Sequence, residues 1–256
     1  MEALTVFATL FVLASLRYLP VMVLPGLSPL AWAPVFVRVV VMLAFAWLTV
    51  LSVPPGYELD VAAWPLGLLL AALGELLIGT VFGLAFLLPN AALHTAGWVV
   101  DMQAGMGAAT LFNPTSGNDA ESLLGRAIML SAMVLFFSLG LHLLLFKGIA
   151  SSMHWLPLGQ VGLRVDAEGF LRMLGSSFMM GVMVAAPVII GLFCIDLGIG
   201  YASRSMPQAN VYFLALPLKV AIAMGLMALT LAYVPVLMGR LFHGAIGQVP
   251  AALGAP

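Results

Sequence analysis

Long apolar runs, separated by single charged residues, follow one another along the chain. Five of them lie between charged positions, at 38–58, 75–101, 126–147, 172–196 and 219–240. Each is close to the roughly 20 apolar residues that a helix needs to cross the hydrocarbon core of a membrane. The second run could begin near Pro65 and carry Glu75 inside it, 3–19 forms a sixth run, and 91–109 could be a further helix. The pattern predicts six or seven hydrophobic helices.

Prolines and polar residues predict where these helices break. Four prolines between 19 and 34 predict a broken or extended connection, because proline lacks an amide donor and restricts the residue before it. Further breaks are expected at 54–56, 113–118 and 203–207. The connection 151–172 holds four charged residues and is predicted to be a water-exposed loop.

Composition turns this pattern into a fold class. Apolar residues make up 63% of the 256 positions and charged residues only 7%, whereas a soluble domain carries about 25% charged residues. We therefore predict an all-α, polytopic membrane protein, a single domain over 1–256 whose apolar flanks are covered by lipid or by partner proteins. The first run lacks a positively charged start, which favours a retained helix over a removed signal peptide. The net charge of −1 excludes a basic surface for nucleic acid.

Residue types that act in catalysis or metal binding do not form recognisable motifs in the sequence. The four histidines are far apart, Cys194 is the single cysteine, and the serine-hydrolase and nucleotide-binding glycine motifs are absent. Gly105 and Gly107 lack the preceding strand and the third spaced glycine of a dinucleotide site. We therefore expect no catalytic residue, no cofactor and no metal, and no enzyme activity.

Ionisable residues inside the apolar runs need either a partner or a role, because each costs about 2.5–3.5 kcal/mol at the centre of a membrane helix. The clearest are Glu75, Asp101, Asp196 and Lys219. They could pair between helices, or they could take part in moving something through the membrane. A small-molecule or ion transporter is the alternative from another class, but it would predict related halves, and none are visible.

Several separate stretches make the sequence resemble a known family. They are 74–79 (GELLIG), 100–107 (VDMQAGMG), 112–117 (FNPTSG), 142–145 (HLLL), 156–159 (LPLG), 203–212 (SRSMPQANVY) and 216–219 (LPLK). In this order and over nearly the whole chain, they resemble the FliR family of flagellar export proteins, which includes the corresponding subunit of virulence type III secretion systems. The flagellar branch is favoured by 215–219 and by the tract at His142.

The resemblance implies a subunit of a protein export gate in the bacterial inner membrane, at the base of a flagellum or an injectisome. In this family the chain assembles with FliP-like and FliQ-like subunits into a helical funnel, with FlhB-like and FlhA-like export proteins nearby and unfolded exported proteins as cargo. The funnel is largely raised out of the bilayer, so some hydrophobic segments would pack on partner subunits as bent hairpins.

The resemblance also implies roles for particular residues. The family's central loop matches about 105–118 here and is expected to plug the closed pore. Its residues are Gly105, Met106, Gly107, Phe112, Asn113, Pro114 and Gly117. An acidic residue is commoner in the family where Asn113 stands. Structural or subunit-contact roles fall on a second set: Glu75, Asp101, Arg204, Pro207, Gln208, Asn210, Pro217 and Lys219. A charge pair, within or between subunits, is expected for Glu75 and Lys219, and the pattern leaves open which residues pair.

Overall fold

The computed structural model describes residues 2–24, 26–52, 66–105, 123–159, 166–206 and 211–254, and in these segments the regular secondary structure is α-helical. The helices are α1 (Glu2–Val23), α2 (Val35–Leu51), α3 (Leu66–Ala104), α4 (Leu123–Ser138), α5 (Leu141–Trp155), α6 (Ala167–Ser205), α7 (Val211–Thr230), α8 (Val234–Gly247) and α9 (Val249–Ala252). The predicted all-α class is confirmed. The expected break at 54–56 and most of the central loop lie outside the described residues.

The first connection is shorter than the prolines predicted. Helix α1 continues through Pro20 and ends at Val23, so the expected break at residue 19 is wrong by four positions. Proline removes one backbone hydrogen bond without ending a helix whose neighbours pack well against it. The following turn is held by Arg38 of α2, which donates to the carbonyl oxygens of Ala33 and Val23, both at 3.0 Å. Arg38 thereby satisfies a carbonyl at the end of α1.

Helices α3 and α6 each contain 39 residues, and at 1.5 Å per residue each is about 58 Å long. The prediction of a separate helix at 91–109 is wrong, because α3 begins at Leu66 and runs through Pro89 to Ala104. Helix α6 likewise carries Pro187 inside it. Both helices are much longer than the roughly 30 Å hydrocarbon core of a bilayer.

Two of the predicted single helices are broken. The run 126–147 holds two helices, α4 and α5, separated by a break where Gly140 adopts φ +68°. Glycine reaches this left-handed conformation without the steric cost that a side chain would bring. The run 219–240 is divided by a turn at 231–233 between α7 and α8. Neither break contains a cluster of prolines and polar residues.

The predicted loop 151–172 is too long at both ends. Helix α5 continues to Trp155 and α6 begins at Ala167. The Asp166 carboxylate accepts the backbone N–H groups of Glu168 and Gly169, and so starts α6 in the way an N-cap does. Charged residues in this region therefore lie on the first turns of a helix as well as in the connection.

The described residues divide into two compact units by their internal contacts. The first consists of Met1–Leu88, Gly140–Ser176 and Phe242–Pro256. Its core contains fully buried Leu13, Tyr18, Phe82 and Leu145. The carboxyl-terminal segment packs on the start of α6, where the Asp166 N–H donates to the Ala252 carbonyl at 3.0 Å.

The second unit consists of Pro89–Leu139 and Ser177–Leu241. Its packing depends on small residues where helices approach closely. A Cβ added to Gly181 of α6 would lie 2.8 Å from the carbonyl oxygen of Ala92 in α3, which is too close for any other residue. The core of this unit includes buried Val188, Leu192 and Ala223.

Large apolar side chains also cover the outside of the helices. Phe36 and Leu214 are each at least three-quarters exposed, and many other leucines, valines and methionines are more than half exposed. Such a surface is far more apolar than that of a soluble monomer. In the described residues four helices are long and apolar enough to cross a membrane, or up to five if the bent pair α4 and α5 forms one span.

Candidate functional site: two ion pairs

A buried ion pair joins α1 to α3 in the first unit. Arg17 is fully buried and Glu75 is 2% exposed. The Arg17 Nε atom donates to Glu75 Oε2 at 2.5 Å, and Arg17 Nη2 donates to Glu75 Oε1 at 3.0 Å. This bidentate geometry is the strongest arrangement of a guanidinium and a carboxylate. The partner that the sequence left open for Glu75 is therefore Arg17.

Three further hydrogen bonds connect this pair to the segment that follows α5. Arg17 Nη1 donates to Ser152 Oγ at 3.0 Å, and Arg17 Nη2 donates to the Leu156 carbonyl at 2.9 Å. The Gly159 N–H donates to Glu75 Oε1 at 2.9 Å. A buried ion pair offsets the cost of its desolvation only when such additional bonds satisfy its remaining donors and acceptors. Arg17, Glu75, Ser152, Leu156 and Gly159 are called the Arg17 network below.

The spacing of residues on α3 explains how Glu75 reaches Arg17. Glu75, Gly79 and Gly83 are four residues apart and therefore lie on one face of the helix. A Cβ at Gly79 would lie 2.2 Å from the Arg17 carbonyl oxygen, and one at Gly83 would lie 2.9 Å from Leu27 Cβ. Gly79 lets the backbones of α1 and α3 approach closely, and Gly83 makes room for the connection that follows α1. Glu75, one turn before Gly79, then meets the Arg17 side chain.

A second ion pair joins α6 to α7 in the second unit. Lys219 Nζ lies 2.7 Å from Asp196 Oδ1, and the exposed fractions of the two side chains are 4% and 36%. The helices run antiparallel here, since a Cβ at Gly191 would meet Leu226 Cδ1 at 2.4 Å. Asp196 is therefore the partner of Lys219, and the two helices form a hairpin, called the α6–α7 hairpin below.

The remaining predicted site residues that the structure describes lie on α3, on α6 and α7, and directly after α3. Asp101 is buried at 4% exposure, Arg204 is exposed, and Pro217 lies inside α7. Gly105 follows the last residue of α3 with φ +84°, the left-handed conformation that often ends a helix. The other predicted residues lie outside the described segments: Met106, Gly107, Phe112, Asn113, Pro114, Gly117, Pro207, Gln208 and Asn210.

Of the five residues in the Arg17 network, only Glu75 was predicted as a site residue. Leu156 and Gly159 lie in a stretch that carried the family resemblance, and Arg17 and Ser152 were not singled out. Arg17 stands inside the apolar run that becomes α1, close to its end. An arginine one turn before the end of such a run is as well explained by snorkelling to the membrane surface. Nothing in the sequence distinguishes Ser152, because a serine in a helix most often donates a hydrogen bond to a carbonyl of its own helix. Ser152 also does this, to the Ile149 carbonyl.

The two ion pairs have no arrangement typical of metal binding. Among the residues that the structure describes, no three histidine, cysteine, aspartate or glutamate side chains are close enough to hold a metal ion. Charged groups that pair inside apolar helical units can fix which helices are neighbours. The fold and these pairs together define a polytopic, all-α membrane protein whose helices are connected by buried charges.

Comparison with known proteins identifies the family. Residues 8–245 match the family model described as "Bacterial export proteins, family 1". The chain therefore belongs to this family of bacterial export proteins, and the predicted resemblance to FliR is confirmed.

Several relatives extend the match to named proteins. The chain is 29% identical over 204 residues to "Flagellar biosynthetic protein FliR" of Bacillus subtilis, which covers 78% of this chain and 76% of that protein. It is 30% identical over 190 residues to the Escherichia coli protein of the same name, covering 73% and 72% of the two chains. It is also 30% identical over 206 residues to "Yop proteins translocation protein T" of Yersinia pestis, covering 78% and 77%.

Proposed function

We propose that the chain is a non-enzymatic subunit of the type III protein export apparatus in the bacterial inner membrane, and that it serves flagellar export. The observation that carries this proposal is the family match over residues 8–245, together with relatives named for flagellar biosynthesis and for protein translocation. Membrane location is supported by the four to five apolar helices that are long enough to span a bilayer.

The partners that we propose are FliP-like and FliQ-like subunits, with FlhB-like and FlhA-like export proteins as further neighbours and unfolded proteins as cargo. The exposed apolar side chains on every long helix support a chain that needs protein or lipid around it. The test is co-expression with candidate partners from the same genome, followed by purification in mild detergent. A stable complex is the expected result, and a solitary, well-behaved chain with both partners left behind would contradict the proposal and favour a transporter.

The Yersinia relative supports a second candidate system, virulence secretion. Deleting the gene in its own host distinguishes the two systems. We expect loss of secreted flagellar proteins and of swimming, both restored by the wild-type gene. Loss of injected virulence proteins with normal swimming would assign the chain to the second system.

We further propose that the loop of residues 105–117 closes the pore of the assembled gate. Three glycines and Pro114 in this loop disfavour a continuous helix, and irregular backbone at membrane depth is tolerated where protein or a water-filled cavity surrounds it. Deleting 105–117 should let ions leak through the assembled complex reconstituted in a planar bilayer. An unchanged conductance, with the complex still intact, would remove this role.

A further inference from the structure

Helix α5 and the end of α8 pack side by side against α3 in the first unit. A Cβ added to Gly148 of α5 would lie 3.3 Å from Ile246 Cγ2 of α8 and 3.2 Å from Phe82 Cε1 of α3. Earlier on α3, the Glu75 carboxylate accepts from the Gly159 N–H, which follows the end of α5. Helix α5 therefore runs antiparallel to α3.

Helix α8 runs in the same direction as α5. The ring centroids of Phe242 and Phe86 lie 6.0 Å apart, which joins α8 to α3. Ile246, one turn later on α8, lies beside Phe82, one turn earlier on α3. Both α5 and α8 are thus antiparallel to α3, and their carboxyl ends lie on the same side of the first unit.

The exposed face of α5 beside this contact is polar. Lys147, Ser151 and His154 are exposed and follow one another at helical spacing, so they share one face of the helix. Lys147 directly precedes Gly148, which meets α8, and Ile149 on the other side of Gly148 is fully buried. The polar face of α5 therefore borders the outer side of the contact with α8.

The exposed face of α8 borders the same outer side. His243 and Gly247 are exposed, and Ala245 between them is buried. Because the two parallel helices bury their other sides in one core, their exposed faces adjoin each other. This surface is called the α5–α8 patch below, and its residues are Lys147, Ser151, His154, His243 and Gly247.

The α5–α8 patch has a surplus of basic groups. Neither α5 nor α8 contains an aspartate or a glutamate. The acidic residues at the start of α6 already have partners, since the Asp166 carboxylate accepts from the backbone of that helix and Glu168 pairs with Arg172. The local electrostatic field therefore favours an anion on the α5–α8 patch.

The surroundings of the patch favour a phospholipid as the source of that anion. On α5 the exposed Leu143 stands one turn before Lys147, so an apolar surface leads into the basic one. The patch lies near the carboxyl ends of two apolar helices, and the sequence then becomes polar, with Arg164 and Asp166 after α5 and Gln248 after α8. Headgroups of a bilayer lie at such an end, and basic residues there attract anionic lipids.

We propose that the α5–α8 patch binds the phosphate group of an anionic phospholipid, with Lys147 and His243 as cationic partners and the acyl chains along Leu143. The Ser151 hydroxyl can donate to the phosphate in place of the 3.1 Å bond to its own helix. Gly247 leaves room for the headgroup, since a Cβ there would meet nothing within 4 Å. The inference adds a lipid ligand to the proposed function and holds for either export system.

Lipid binding to the full chain tests the role of the charges. The chain in mild detergent is titrated with phosphatidylglycerol, and the lipid bound per chain is counted by native mass spectrometry. Lys147→Gln should weaken phosphatidylglycerol binding about 5-fold, the change that about 1 kcal/mol for one basic residue at an anionic lipid implies. Adding His243→Gln should weaken binding further, whereas Lys147→Arg should retain it. The matched control is Arg172→Gln, which removes another exposed cation of the first unit and should bind like wild type.

Two results of this titration would overturn the inference. One is equal binding of phosphatidylglycerol by the wild-type chain and by the Lys147→Gln/His243→Gln variant. The other is binding of phosphatidylethanolamine, whose headgroup has no net charge, as tightly as phosphatidylglycerol. Neither result bears on the proposed function, because that function is tested by complex formation and secretion.

Photo-crosslinking identifies what covers the patch in the membrane. A p-benzoylphenylalanine introduced at Leu143, one turn from Lys147, should form an adduct with phospholipid when the chain is expressed with its candidate partners. An adduct with an acidic segment of a partner subunit, and none with lipid, would refute the inference and assign the patch to protein binding.

Discussion

Glu75→Gln is the sharpest single test of the Arg17 network. The glutamine has nearly the same shape, and its Oε1 atom can still accept from Arg17 and from the Gly159 N–H. The substitution removes the negative charge and leaves the Arg17 guanidinium, which is fully buried, without a counter-ion. The substitution thus removes the charge with little change in side-chain volume, and its amide nitrogen, in the place of Oε2, also leaves the Arg17 Nε–H without an acceptor.

The expected cost follows from the burial of the two side chains. Removing one partner of a buried ion pair costs about 3–5 kcal/mol, because an uncompensated charge stays in the apolar interior. Ser152→Ala removes one neutral acceptor of the same arginine, a loss of about 1 kcal/mol. Glu168→Gln makes the same chemical change in a pair whose side chains are 71% exposed, and exposed pairs contribute at most about 1 kcal/mol.

The measurement is the free energy of unfolding of the purified chain in mixed micelles, followed by tryptophan fluorescence. Trp155 immediately precedes Leu156 of the Arg17 network and reports on this region. We expect Glu75→Gln to be the least stable variant, Ser152→Ala to be intermediate, and Glu168→Gln to be close to wild type. The reasoning is refuted if Glu75→Gln and Glu168→Gln lower the free energy of unfolding equally.

Three further substitutions test the packing of the first unit. Gly79→Ala should sharply reduce the amount of folded chain in membranes, because its Cβ would lie 2.2 Å from the Arg17 carbonyl oxygen. The control is Gly175→Ala, where a Cβ meets nothing within 4 Å. It should be neutral or stabilising. Gly159→Ala should lower the free energy of unfolding by about 1–2 kcal/mol, because φ is +83° there. Arg38→Gln should increase protease cleavage within 26–34, because the carbonyl oxygens of Ala33 and Val23 lose their donor. Unchanged cleavage would show that Arg38 does not hold this connection.

The apolar pattern predicted the fold class because composition alone excludes a soluble surface, and most helices lie where long apolar runs were found. Helix ends were less predictable. Pro20, Pro89 and Pro187 all lie inside helices, since tertiary packing compensates the hydrogen bond that each one removes. Conversely, the breaks at Gly140 and at 231–233 carry only single-residue signals: Gly140 itself, which adopts φ +68°, and Pro235 in the first turn of α8. Single glycines and prolines also lie inside the long helices, so these signals alone did not locate the breaks.

The ion pairs, too, could be predicted from the sequence only in part. That Glu75 and Lys219 need partners follows from the cost of burying a charge, and this is visible in the sequence. Their partners are not visible in the sequence, because Arg17 is 58 positions from Glu75 and Gly159 is 84 positions from Glu75. Two of the stretches that carried the family resemblance, 74–79 and 156–159, contact each other through the bond between Glu75 and the Gly159 N–H. A physical contact therefore connects two motifs whose relation the sequence alone did not show.

The two ion pairs differ in how many hydrogen bonds the described residues provide to them. A pair that the chain satisfies by itself, as Arg17 and Glu75 do with Ser152, Leu156 and Gly159, stabilises the chain whether or not it is assembled. Asp196 and Lys219 share one contact of 2.7 Å, to which the described residues add no further polar partner, and Asp196 is 36% exposed. Loss of the first pair should therefore lower the free energy of unfolding of the isolated chain more than loss of the second, because Arg17 and Glu75 are the more deeply buried and the more fully hydrogen-bonded.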